Sequence, residues 1–104
     1  MRNKSTLLVA IKHRVLEIEP DSEVILYGSR ARGEAHQESD WDILILTPQS
    51  TDLRGEQQFR HQLFELELEY GQAISTTVHS KSDWEGKLSL TPLYHNISQE
   101  GIRI

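Results

Sequence analysis

The chain contains no cysteine, so it has neither a disulfide framework nor a thiolate metal site. Long apolar runs are missing too. The stretch that starts at Leu7 is broken by Lys12, His13 and Arg14, too soon for a signal peptide and far short of the ~20 residues of a membrane-spanning helix. A cytoplasmic protein is expected. Positive charge is scarce: 11 Lys and Arg stand against 16 Asp and Glu, a formal net charge of -5. Extended binding along a nucleic-acid backbone needs a basic face, and this balance argues against one. Repeats, low-complexity tracts and linkers are absent. At 104 residues there is room for one core and no second, so residues 1–104 are read as a single domain. The histidines at 13, 36, 61, 79 and 95 show no metal-ligand spacing and single out no Ser/His/Asp arrangement.

What is present is a regular alternation of elements. Leu7, Leu8, Ile11, Val15 and Ile18 recur at helical spacing between about Lys4 and Glu19, and Pro20-Asp21 ends that helix. Val24 to Tyr27 is short, β-branched and aromatic, and stops at Gly28 as a buried strand does before a tight turn. A second strand runs from Trp41 to Leu46 and ends at Thr47-Pro48. Between Thr51 and Tyr70 the apolar residues Phe59, Leu63, Leu66 and Tyr70 fit a helix, although residues 64 to 69 also alternate like a strand. Its length and the Gly71 stop favour helix. A third strand is expected over about Ala73–His79, then a short helical piece capped by Ser82 or Asp83. Thr91-Pro92 opens a last helix that reaches Gln99 or Glu100 and ends at Gly101. The expected class is α/β (α+β), a small mixed sheet flanked by helices.

The chemistry is concentrated in YGSRARGEAHQESDWDILIL, residues 27–46. Gly28 supplies a turn, and Ser29 stands where a helix would begin. Its hydroxyl and the free amides of the first turn can point at an anion such as phosphate, with the helix dipole adding to the attraction. After ten intervening residues come Asp40 and Asp42. Strand side chains alternate between faces, so these two share one while Trp41, Ile43 and Ile45 take the other. Two neighbouring carboxylates repel each other unless a divalent cation lies between them. An all-oxygen pair points to Mg²⁺, with Mn²⁺ as a substitute, shared with substrate phosphates.

The combination of GSRARG and SDWD resembles the Gly-Ser…Asp-x-Asp signature of the nucleotidyltransferase superfamily that includes DNA polymerase β and kanamycin nucleotidyltransferase. Its smallest branch, the minimal nucleotidyltransferase (MNT) domains, is the nearest likeness in length and element order. The resemblance implies a nucleotidyltransferase fold, with Gly28 and Ser29 on the triphosphate of a nucleotide, most simply ATP, and Asp40 and Asp42 as catalytic and metal-holding residues. It further implies transfer of AMP to a hydroxyl on a protein or small molecule. MNT proteins often pair with a helical HEPN-type protein, in some pairs as an antitoxin, so a catalytically weak partner subunit is the competing expectation. Relatives generally carry a third carboxylate on the strand here at 73–79, whereas this one offers Ser75, Thr77 and His79 on one face.

Around the motif, Arg30 and Ser39 are candidate nucleotide-binding residues. Arg30 and Arg32 suit phosphate geometrically, or they pair with Glu34, Glu38 or the Asp pair; Ser39 shapes the approach to the second strand. Glu65, Glu67 and Glu69 read as a solvated helix face, and Trp84 and Tyr94 as core or interface. A sheet with few strands has edges that leave room for homo-oligomerisation.

Overall fold

The computed structural model describes residues 4–104, with side chains from Thr6 onward. Among these residues four strands form one mixed sheet in the order β3-β2-β1-β4. The elements follow the chain as α1 (Lys4–Ile18), β1 (Glu23–Tyr27), α2 (Ser29–Arg32), β2 (Trp41–Thr47), α3 (Leu53–Tyr70), β3 (Ile74–Ser80), α4 (Lys81–Glu85), a 3₁₀ turn (Lys87–Leu90), α5 (Pro92–Glu100) and β4 (Ile102–Arg103). β1 lies antiparallel to β2 and β4, while β2 and β3 run parallel, joined by α3 as a crossover.

β2 is the central strand, and its two faces serve different layers. Trp41, Ile43 and Ile45 enter the main core with Leu7, Ile11 and Val15 of α1 and Phe59, Leu63 and Leu66 of α3. Those spacings confirm both helices as amphipathic, and they settle the ambiguity at residues 64 to 69. Phe64 and Leu68, which made the segment alternate like a strand, are 53% and 71% exposed. Asp52 caps α3 by accepting the Gly55 N–H at 2.9 Å, and Gly71 closes it in the left-handed conformation. On the opposite face of β2, Leu44 and Leu46 pack with Trp84 and Ile97 in a smaller cluster supported by Tyr27, Leu88, Leu93 and Tyr94. Asp42, next along that face, is half-buried.

Three local features differ from the sequence reading. The cap of α4 is Ser80, whose Oγ accepts the Asp83 N–H at 3.1 Å, rather than Ser82 or Asp83. Asp83 sits in the first turn, where its charge suits the helix dipole. β4 is a two-residue strand, too short to leave a pattern in sequence, and it adds an edge beside β1. The 3₁₀ turn has no periodicity either. At the other edge, β3 is partly closed by α3: Glu67 Oε1 accepts the Ile74 N–H, and Arg60 Nη1 donates to the Thr76 carbonyl, both at 2.6 Å. No helix among the described residues is long and apolar enough to cross a membrane.

Candidate active site

The Gly-Ser turn and the second aspartate meet because β1 and β2 pair antiparallel, with Tyr27 opposite Asp42. The chain leaves β1 at Gly28 with φ 76° and ψ -159°, a region open in practice only to glycine. A Cβ at position 28 would overlap Asp42 Oδ2. The turn therefore lies directly against the carboxylate, and glycine is required on two separate grounds. Ser29 and Arg30 begin α2, and the first amides of a helix have no carbonyl of their own helix to bond to. The first amides of α2 and the Asp42 carboxylate thus share one rim.

Asp40 lies just before β2 rather than in it and is exposed, yet its charge still acts on Asp42. The Asp42 carboxyl is held above its ordinary range, first by burial, then by repulsion from Asp40, with Glu100 adding to the effect and Arg32 opposing it. A carboxylate that is partly desolvated and faced by another anion is short of a cation. That chemistry fits a hard divalent ion. Among the described residues no group of three or more His, Cys, Asp or Glu could hold a metal, so the protein's share would be the Asp40 and Asp42 oxygens, which is the usual provision for Mg²⁺ shared with substrate phosphates.

The two arginines of the motif part company. Arg30 turns away from the turn amides and into the loop between α2 and β2: Nη2 donates to the Ser39 carbonyl at 2.8 Å and Nε to the same oxygen at 3.1 Å. Further bonds reach the His36 carbonyl and Gln72 Oε1, both at 3.3 Å, and the guanidinium stacks on Trp41 at 4.2 Å from the ring centre. Gln72 Oε1 also accepts the Trp41 indole N–H at 3.1 Å. Ser39 is a loop residue as well, its Oγ accepting the His36 N–H at 3.0 Å. Arg32 instead keeps its charge within electrostatic reach of Asp42, its Nη1 donating to Glu100 Oε2 at 3.0 Å. That bond raises the Arg32 pKa further.

Register places Ser75 of β3 opposite Asp42, with Thr77 opposite Leu44 and His79 opposite Leu46. Ser75 is exposed, and β3 carries no acidic side chain. The Tyr27 hydroxyl crosses β2 to within 3.4 Å of Thr77 Oγ1, lining the floor beside Asp42. His79 stacks on Trp84, with centroids 6.0 Å apart; four residues along the strand from Ser75, it is ~13 Å from the Asp42 row. Gln72 and Glu100 left no local signal: Gln72 comes just after a helix stop, and Glu100 meets Arg32 across 68 residues. A groove of about 620 Å³ lined by Ile18, Arg54, Gln57, Gln58, His61 and Gln62 contains none of the motif residues. Its amide lining offers no carboxylate for a metal.

The sequence model of the nucleotidyltransferase domain matches residues 8–101. Among curated protein sequences nothing matches significantly. Among solved structures, a toxin–antitoxin with AMP-PNP aligns at a TM-score of 0.66 and 16% identity, over 97% of this chain and 72% of that one. A mutant of the MntA–HpeT toxin–antitoxin, in which two aspartates two positions apart are glutamates, aligns at 0.62 and 14%, over 98% and 72%. A chain provisionally assigned as a minimal nucleotidyltransferase aligns at 0.63 and 22%, over 99% and 97%. At these identities the structural likeness speaks for the fold.

Proposed function

The chain belongs to the nucleotidyltransferase domain family, and from that premise we propose that residues 1–104 act as one minimal domain that moves AMP from ATP to a hydroxyl on a protein or small-molecule acceptor, in the cytoplasm. The observation that carries this reading is the contact of Gly28 with Asp42, which joins an anion-binding turn to a metal-seeking carboxylate. In this reading Asp40 and Asp42 hold Mg²⁺, or Mn²⁺ in its place. Held there, the ion would supply neutralisation of the charge that develops at the α-phosphate. Ser29 and the α2 amides steady the β- and γ-phosphates, and Arg32 adds a cation to the leaving pyrophosphate. The acceptor hydroxyl gives its proton to solvent and its oxygen bonds to the α-phosphorus, as the bond from that phosphorus to the α,β-bridging oxygen breaks and this oxygen leaves with pyrophosphate. Arg30 and Ser39 serve the nucleotide at one remove, by fixing the loop that presents Asp40.

The test is calorimetric titration of ATP with and without Mg²⁺ against the native protein and an Asp40→Asn/Asp42→Asn variant, together with an assay of transfer from α-labelled ATP. Metal-dependent binding that the variant loses is the expected result. Absence of binding at millimolar ATP would defeat the reading.

A second reading is favoured by β3, which carries no acidic side chain and places Ser75 opposite Asp42. Without a carboxylate on β3 to take the acceptor proton, catalysis is weakened. The chain would then serve mainly as the partner of a HEPN-type helical protein, as the toxin–antitoxin neighbours suggest. Sizing the protein together with its neighbouring gene product distinguishes the two: turnover on a small acceptor with no complex would exclude the partner role.

A further inference from the structure

We propose that Glu100, the last residue of α5, is a positioning residue that holds Arg32 beside Asp42 and so presets the cation that receives the triphosphate. The inference rests on the nucleotidyl-transfer reading and adds to it a dependence on the C-terminal elements, which carry none of the motif.

Arg32 sits at the end of a four-residue helix with 41% of its side chain exposed. Left to itself, such a side chain samples many rotamers, and binding a phosphate would have to order it. Two carboxylates compete to hold it. Glu34 is 68% exposed and its Oε1 lies 3.6 Å from Arg32 Nε, whereas Glu100 is 21% exposed and accepts from Nη1 at 3.0 Å. The shorter, more sheltered bond decides the orientation. It uses one donor of the five that a guanidinium carries and Glu34 lies against Nε, so Nη2 and the second Nη1 hydrogen stay available for an incoming anion. Glu100 therefore orients Arg32 without occupying it.

Glu100 is itself fixed by the C-terminal residues beyond α5. The Gly101 N–H donates to the Ile97 carbonyl at 2.7 Å, and the Ile104 N–H donates to the Val24 carbonyl at 3.0 Å. Ile102 pairs with Leu26 of β1, the strand that delivers Gly28. A Cβ at position 101 would come within 2.9 Å of Ile25 Cγ2 and 2.6 Å of the Ile97 carbonyl, so the helix end packs directly onto β1. The carboxylate on α5 and the Gly-Ser turn after β1 thereby share one rigid frame.

The experiment is a double-mutant cycle read by calorimetric binding of Mg·ATP, with Glu100→Gln, Arg32→Ala and the pair. Glu100→Gln alone should weaken binding about fivefold, the upper end for a partly exposed ion pair, and should change nothing in the Arg32→Ala background. Glu100→Asp, which keeps the charge on a shorter arm, should recover part of the loss. In the ligand-free protein, the Arg32 guanidinium ¹⁵N signals should show slowed rotation that Glu100→Gln releases. Equal losses in both backgrounds, no loss, or tighter binding in Glu100→Gln would overturn the proposal. If the native protein binds no Mg·ATP, the nucleotidyl reading fails and the positioning role with it. Normal native binding with an uncoupled cycle removes only Glu100.

Discussion

Replacing Asp42 by asparagine should make the ligand-free protein more stable while removing its metal-dependent nucleotide binding. The Asp42 carboxyl is pushed above its ordinary value, mainly by burial and then by Asp40. A carboxyl that binds its proton more tightly in the folded state gives stability that is fully present below the unfolded value, near 3.8, and is lost as pH rises through the raised folded value. At neutral pH the native protein bears that loss, and asparagine does not. The repulsion can be sized from geometry. Two residues along an extended chain separate the groups by ~7 Å, which gives about 0.6 kcal/mol in water and about 2.4 kcal/mol at an effective dielectric of ~20. Asp40 is exposed, so the lower part of that range applies, on the order of 1 kcal/mol. For a domain of this size that corresponds to a Tm rise of about 4–8 °C. Thermal unfolding from pH 3 to pH 8 is the assay: the native and Asp42→Asn curves should converge at the acidic end and separate as pH rises. Adding Mg·ATP should raise the native Tm and leave the variant where it was. A lower Tm for Asp42→Asn at pH 7, or a gap that ignores pH, would refute the reasoning.

Two further substitutions test the frame around the pair. Gly28→Ala should lose about 1–3 kcal/mol from backbone strain alone, and because the new methyl displaces Asp42 Oδ2, Mg·ATP binding should vanish even where the protein still folds; denaturant melts with a parallel titration check this. Gln72→Ala removes the acceptor shared by Arg30 and Trp41, for a loss of about 1–2 kcal/mol. Hydrogen exchange should quicken across Gly33–Asp40 with α1 unaffected, and uniform quickening would argue against a local role for Gln72.

The parts of this fold that were legible in sequence are those written as periodic patterns. Leu7, Ile11 and Val15, and Phe59, Leu63 and Leu66, announce buried helix faces, and the alternation of Trp41, Ile43 and Ile45 against Asp42, Leu44 and Leu46 describes a strand shared by two layers. The two halves of the Gly-Ser…Asp-x-Asp pattern meet because antiparallel pairing of two consecutive strands sets Tyr27 opposite Asp42. What sequence left open was pairing at long range. The acceptor of Arg32 is 68 residues away, and the partner of Asp42 on β3 depends on a parallel register that a helical crossover sets and no local pattern encodes. Arg30 and Arg32 looked alike in sequence because both are cations near a phosphate motif. Loop carbonyls and the Trp41 ring separate them.

The capping of β3 by α3 bears on how this protein can associate. An open sheet edge is a template that recruits strands from other copies through backbone hydrogen bonds, with little regard for side chains. At this edge the Ile74 N–H and the Thr76 carbonyl already have their partners in Glu67 and Arg60, and an approaching strand would have to break two charge-assisted bonds before making its own. Crowding by identical chains is thus resisted at that end by a device that travels with the fold. Any companion that docks there must recognise the surface chemistry of α3, including its exposed Phe64 and Leu68, so the helix that completes the parallel crossover also turns an indiscriminate edge into a selective one.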